Sequence, residues 1–311
     1  MEKQDLNLTK FTELLIKKME EVNTGLQKPW FSGSFFASEN IRGNKYSGGN
    51  AFMLQILCEM KGYELPVFLT FNQAKEEGIS ILKGEKSFPV YFFNFIVIHI
   101  TTKEKISIEA YRELSEEERE KYNVFRNLKY YLVFNIEQTD LREKKPKLYK
   151  TIKDKFSITV EKKSQKSVEI LDNVIQNQSW YCPIIEKLSD SAYYSPGKDE
   201  IIIPERKQFA DDIRYYSILL HEMAHSTGAK ERLNRTFAKS GSKEYAHEEL
   251  IAELTAAFSG CQLGVSTTIH EDNCKYIKGW IKNLKETPNY LYTILADVAK
   301  ASSFIQEKIA A

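Results

Sequence analysis

Leu219-Leu220-His221-Glu222-Met223-Ala224-His225 is the stretch that decides how this chain is read. It has the form H-E-x-x-H, and its flanks carry a helical pattern. Two histidines at i and i+4 lie on one helical face about one turn apart, so their ring nitrogens can converge on a single metal ion. Glu222, between them, is then placed to take a proton from water activated at that ion. The chain has five histidines in all, so this spacing is not the by-product of a histidine-rich composition. The plainer alternative is a pair of solvated histidines on an amphipathic helix. Context argues against it. Asp211 and Asp212 suit a helix start, as caps and as negative charge at the dipole's positive end. Ile213, Tyr216, Leu219, Leu220, Met223 and Ala224 recur at three- and four-residue spacing, which buries one face. Gly228 follows as an expected C-cap.

A catalytic zinc takes three protein ligands and keeps a fourth position for water. The third ligand should come from a second element, and a helix predicted from Lys243 to Gly264 offers one. Its expected buried stripe is Tyr245, Leu250, Leu254, Ala257, Phe258 and Cys261. Within it, Glu249 and Glu253 stand at i and i+4, so one can bind metal while the other hydrogen-bonds a ligand histidine. Geometry leaves open which does which. The pattern E-x-x-A-acid resembles that of gluzincin metallopeptidases, and the resemblance implies Glu249 as ligand and Glu253 as its support.

A wider resemblance follows. Tyr193-Tyr194-Ser195-Pro196-Gly197-Lys198-Asp199-Glu200-Ile201-Ile202-Ile203-Pro204, the H-E-x-x-H helix, the segment Gly241 to Leu254 and Tyr276-Ile277-Lys278-Gly279-Trp280 occur in the order of the zincin-like metallopeptidase domain of ArdC-type antirestriction proteins, which plasmids and conjugative elements carry. One departure is at Asn273-Cys274-Lys275, where members of that family often have a histidine. The N-terminal half resembles the same family's single-stranded-DNA-binding domain. The matching pieces are Lys28-Pro29-Trp30, Ile41 to Asn50, Phe68 to Lys75, Leu82 to Ser87 and Tyr131 to Thr139.

What the resemblance implies is a two-domain α+β protein, residues 1–148 binding single-stranded DNA and 149–311 forming a gluzincin-type peptidase domain. It further implies one Zn2+ per chain on His221, His225 and Glu249, Glu222 as catalytic base, and an unidentified protein or peptide substrate. Tyr245 and His247, just ahead of the ligand glutamate, are candidates for stabilising a developing oxyanion. A non-catalytic protein that shelters single strands and uses its metal structurally is the competing reading, as is a protease merely localised by DNA.

Single strands are held by basic grooves with aromatic faces. Arg42, Lys45, Lys75, Lys83 and Lys86 interleave with Trp30, Tyr46 and Phe71, and are the candidate DNA contacts. Physics alone does not demand DNA here. Between residues 28 and 86 there are seven Lys/Arg against six Asp/Glu, the balance of an ordinary surface whose aromatics are core. A net charge of +1 likewise excludes a strong bulk field toward nucleic acid or membrane.

Cys58, Cys182, Cys261 and Cys274 show no C-x-x-C spacing and read as free thiols of a reducing cytoplasm. The polar start Met1-Glu2-Lys3-Gln4-Asp5 carries no signal-peptide pattern. The apolar run Phe95 to Ile100 is too short for a membrane span and reads as a strand, with His99 a core or edge residue. The pattern also predicts an amphipathic helix over 5–25, strands near 66–71, 88–100 and 130–137, a capped solvated helix at Ser115-Lys121, and an interdomain connector from Leu141 to Lys155.

Overall fold

The computed structural model describes residues 2–22, 29–31, 37–157, 160–265, 267–268, 271–287 and 290–310. Lys28 and residues 23–25 of the expected first helix lie outside them. The N-terminal half runs α1 (Glu2–Val22), β1 (Glu39–Asn40), α2 (Gly48–Lys61), β2 (Val67–Thr70), α3 (Phe71–Glu76), β3 (Phe88–His99), β4 (Lys105–Ile106), α4 (Ile108–Glu113), α5 (Glu116–Arg119) and β5 (Tyr122–Asn135). Helices α6 (Leu141–Lys144), α7 (Pro146–Ser157) and α8 (Val160–Gln176) lead to β6 (Ile184–Lys187), β7 (Tyr193–Ser195) and β8 (Glu200–Pro204). The chain then continues through α9 (Asp212–Ser226), α10 (Lys243–Leu263), α11 (Ile277–Glu286) and α12 (Tyr290–Ala310).

β3 and β5 are rich in aromatic and β-branched residues, which suits a pleated, half-buried surface. They pair antiparallel in unbroken register from Phe88↔Val133 to His99↔Tyr122, the spine of a sheet ordered β1-β2-β5-β3-β4. β2 ends in a capping box at Thr70, whose hydroxyl accepts from Gln73 N while the Gln73 side chain accepts from Thr70 N, so α3 starts where the strand stops. The expected solvated helix start also closes a capping box, Ser115 with Glu118. His99 sits at the sheet's end, its Nδ1 accepting from Thr101 N and Thr102 N.

In the C-terminal half β8 is the middle strand of β6-β8-β7, parallel to β6 and antiparallel to β7. Its isoleucines 201–203 are buried, and Ile201 and Ile203 pack with Leu171, Tyr215, Tyr216, Leu219, Leu220, Met223 and Ile305. β7 is left as an edge strand.

Two expectations change. Leu141 to Lys155 is more than a connector, although most of its side chains are exposed. It forms α6 and α7, which bury Leu141, Ile152 and Phe156 against Leu65, Val67, Leu69 and Ile136 of the N-terminal sheet region, and residues 148 and 149 are neighbours inside α7. The second change concerns α10. A one-sided stripe was expected, but burial is continuous from Glu248 to Cys261. The helix is central. Its residues Leu250, Leu254, Ala257 and Phe258 join one core with Phe11, Phe52 and Val90 of the N-terminal half and with Trp280, Leu291 and Val298. Each such large side chain removed from water contributes about 1.5–3 kcal/mol, so the two halves share their principal core.

Candidate metal centre

α9 begins where the sequence places it: Asp211 caps it by accepting from Arg214 N at 2.8 Å, and Asp212 accepts from Arg206 Nε at 2.8 Å. The helix ends at Thr227 in right-handed geometry, so Gly228 is not its left-handed cap. The apolar face of α9 anchors it on β7 and β8, which turns His221 and His225 toward α10. Their Nε2 atoms lie 3.1 Å apart, and Glu249 Oε2, from α10, stands 3.4 Å from that of His221 and 3.6 Å from that of His225. Donors about 2.0–2.1 Å from a tetrahedral ion are about 3.3 Å apart. The three separations bracket that value, so the residues present fit a divalent cation.

Charge points the same way. His221, Glu222, His225, Glu248, Glu249 and Glu253 are all buried. Burial alone would push the His221 and His225 imidazoles down; the hydrogen bond of Glu249 lifts His221 above its ordinary range, and Glu248 and Glu249 together lift His225 well above it. For Glu249, burial works to raise the carboxyl, but contacts from His221 and His225 hold it well below the usual carboxylate range. In this buried place Glu249 needs a positive neighbour, which the two imidazoles supply when protonated and which a divalent ion would supply in their stead.

The cleft above these atoms has a volume of about 260 Å³. Glu222 lines it, with Tyr193, Tyr194, Phe237 and Tyr245 as aromatic walls. Tyr245 faces the site, its hydroxyl pushed up by burial and by the neighbouring Glu249. His247 does not line the cleft; its Nδ1 meets the Tyr290 hydroxyl at 2.7 Å.

Glu253 stands 3.8 Å from His221 Nδ1, beyond hydrogen-bond range, and accepts instead from Asn273 Nδ2 at 2.9 Å. The same amide donates to Glu249 Oε2 at 2.8 Å, so Asn273 bridges both carboxylates. Two acceptor-only partners leave no ambiguity about which end of the amide faces them. Glu248, adjacent to Glu249, stands on the other candidate histidine: its Oε1 accepts from His225 Nδ1 at 3.1 Å. Asn273 and Glu248 escaped sequence reasoning. The one available signal for Glu248 was that the Nδ1 of a ligand histidine needs an acceptor.

The DNA candidates divide. Trp30 is 0 % exposed, inside the core with Phe31 and Phe52, and offers no face to a base because its ring is already covered. Tyr46 is half-buried, edge-on to Phe68. Arg42, Lys45, Lys75, Lys83 and Lys86 are exposed, and Arg42 is ion-paired with Glu76. Phe71, by contrast, is 64 % exposed. It lies one turn from Lys75 on α3. Among the described residues no helix is long and apolar enough to cross a membrane.

Residues 6–134 match the N-terminal domain of anti-restriction factor ArdC, and residues 171–297 match a zincin-like metallopeptidase family. The metal-free crystal structure of the antirestriction ArdC protein from plasmid R388 superposes with TM-score 0.69 at 26 % identity, over 97 % of each chain. Its Mn(II)-bound form gives 0.68 at 25 %, over 97 % of this chain and 98 % of that one. Two DNA primases TraC of Escherichia coli are 30 % and 29 % identical over 94 % of this chain, which spans only 26 % and 19 % of their length. Protein y4eC of Sinorhizobium fredii (strain NBRC 101917 / NGR234) is 26 % identical over 91 % of this chain and 85 % of its own. An ArdC N-terminal domain joined to a zincin-like domain, in the order and over the length of ArdC, makes this chain a member of the ArdC-type antirestriction family.

Proposed function

We propose that the cleft is a metal-dependent hydrolytic centre acting on a peptide bond. His221, His225 and Glu249 hold one divalent ion per chain, zinc being favoured by two imidazoles and a carboxylate. The Mn(II)-bound structure of the R388 protein supports a divalent ion at such a site. The ion supplies Lewis acidity to a carbonyl and to attacking water. Glu222 accepts a proton from that water and returns it to the leaving amine. Tyr245 is the hydroxyl placed to donate to the developing oxyanion, while His247 buttresses Tyr290. Unpaired β7 backbone can align an extended peptide beside the cleft. The observation that carries this reading is the convergence of three donor atoms with Glu222 in the same cleft. It is tested by assaying Glu222→Gln, which should keep its metal and lose hydrolysis of a peptide library cleaved by the wild type. Equal cleavage by both would leave the metal a structural role in a strand-sheltering protein.

Binding of single-stranded DNA by the N-terminal half is the second reading, favoured by Phe71 exposed beside Lys75 on α3, and by Arg42, on the loop before α2, paired with Glu76 of the same helix. Both activities would serve passage of a mobile element past restriction in the recipient cytoplasm. A fluorescent oligonucleotide titrated with the full-length protein tests it. No anisotropy change at low salt would remove the DNA half of the proposal.

A further inference from the structure

Arg235 lies outside the three donor atoms yet is tied to them through one intervening carboxylate. Its Nε donates to Glu248 Oε2 and its Nη2 to Glu248 Oε1, each at 2.8 Å, a two-point fork on a single carboxylate. The same Oε1 accepts from His225 Nδ1 at 3.1 Å. An ionised carboxylate only accepts, so the proton of that contact sits on Nδ1, and Nε2 is the nitrogen that faces His221 and Glu249.

The guanidinium is itself fixed. Nη1 donates to Thr227 Oγ1 at 2.9 Å and Nη2 to Ala224 O at 2.8 Å, both at the end of α9. The Arg235 side chain is 7 % exposed. Room for it comes from Gly228: a Cβ there would stand 3.0 Å from Arg235 Nη2 and 2.9 Å from Phe237 Cζ. A residue with no side chain is what lets a planar cation lie against the helix end.

We propose that Arg235 is a positioning residue of the metal centre, holding Glu248 on His225 Nδ1 and thereby fixing the tautomer and ring orientation of one ligand. The inference rests on His221, His225 and Glu249 being the metal site. A fork matters as well as a charge. Glu248 must be oriented by two parallel contacts to keep one oxygen on the imidazole, and an ammonium supplies no such geometry. Without Arg235 the buried carboxylate loses its counterion, and either protonates or turns toward the open cleft. In each case His225 loses its anionic acceptor.

The test uses the full-length protein and Co(II) alone, with affinity measured by chelator competition, geometry read from the visible absorption of the bound ion, and folding followed by thermal melts of the metal-free protein. Arg235→Ala and the charge-conserving Arg235→Lys should each weaken Co(II) binding by roughly 10–100-fold and change the absorption bands, as loss of an outer contact to a ligand does. Combining Arg235→Ala with Glu248→Gln should cost no more than either alone, since both act through one contact. Thr227→Val removes one anchor of the guanidinium but leaves its fork on Glu248 in place, and should weaken Co(II) binding less than either Arg235 variant. A folded Arg235→Lys with wild-type affinity and spectrum, or a double-variant loss equal to the sum of the single losses, would overturn the proposal. Failure of the wild type itself to take up Co(II) would remove the metal-centre reading and this inference with it. Wild-type binding that the Arg235 variants match would remove this inference alone.

Discussion

Glu248 and Glu249 are consecutive on α10, yet their carboxylates serve opposite ends of one imidazole. Glu249 Oε2 is 3.6 Å from His225 Nε2, and Glu248 Oε1 is 3.1 Å from His225 Nδ1. Successive residues of a helix point about 100° apart, so two neighbours can straddle a ring that enters edge-on from α9.

The ligand set makes a direct prediction. His221→Ala with His225→Ala should leave no stoichiometric metal in protein purified and analysed by mass spectrometry, because one carboxylate cannot hold the ion. Wild-type stoichiometry in that double variant would refute the assignment of these histidines.

Glu249 and Glu253 should separate cleanly. Glu249→Ala loses the ion outright. Glu253→Ala removes a carboxylate that shares the Asn273 amide with Glu249 and faces His221, and should weaken affinity by roughly 10–100-fold. The reverse ranking in a chelator competition would exchange their roles.

Much of this centre was legible before any coordinates. H-E-x-x-H at helical spacing fixed the face shared by His221 and His225, and the ends of α9 and α10 follow from Asp211 and Gly264, the latter in left-handed conformation as a C-cap. Outer contacts were not legible, because they arise where separate segments meet. Nothing in the sequence sets Glu248 apart from its neighbour Glu249, and Asn273 approaches from the segment after α10. Trp30 misled for a related reason. An aromatic beside a lysine has the same appearance in sequence whether its ring is covered by Phe31 and Phe52 or faces solvent, as that of Phe71 does.

That distinction yields a paired prediction on DNA. Phe71→Ala should weaken oligonucleotide binding by about 1–3 kcal/mol if a base stacks on the ring, with the melting temperature nearly unchanged. Trp30→Ala should do the opposite, lowering stability by about 3–5 kcal/mol through the cavity it leaves. Replacing Lys45 and Lys75 with alanine should flatten the salt dependence measured by anisotropy, since each phosphate contact adds to that slope. An unaltered slope would place the phosphates elsewhere.

Acid stability should report on the hairpin that frames the cleft. Arg232 is paired with Asp199, and this hydrogen-bonded ion pair holds the Asp199 carboxyl below its ordinary range. A group depressed in the folded state stabilises the fold above its unfolded value, near ~3.9, and loses that contribution as pH falls through the folded value. Asp199 has φ +49°, a left-handed position that asparagine tolerates, so Asp199→Asn changes charge without straining the turn. Urea melts should find the variant less stable at pH 7, with the gap closing below about pH 4. The gap is expected to be small, since the Asp199 side chain is 41 % exposed and solvent screens the pair. A gap that persists unchanged to pH 2 would assign it to packing.

Phe258 should behave as a joint between the halves. It meets Phe52 edge to face with ring centroids 5.4 Å apart. Phe258→Ala should lower stability by about 3–5 kcal/mol and do so in one transition. Two separate transitions by calorimetry would show that the halves unfold independently.

Because α10 carries the proposed donor Glu249 on one flank and packs into the N-terminal core on another, inheritance of this chain is constrained. A recombination event that exchanged the first half for that of a distant relative would present α10 with a surface it was not shaped for, and the donor atoms would shift with it. Natural variation should therefore appear as matched changes on the two sides of this helix, Phe52 with Phe258 for example, and successful chimeras should break the chain only where a relative supplies both sides of that contact.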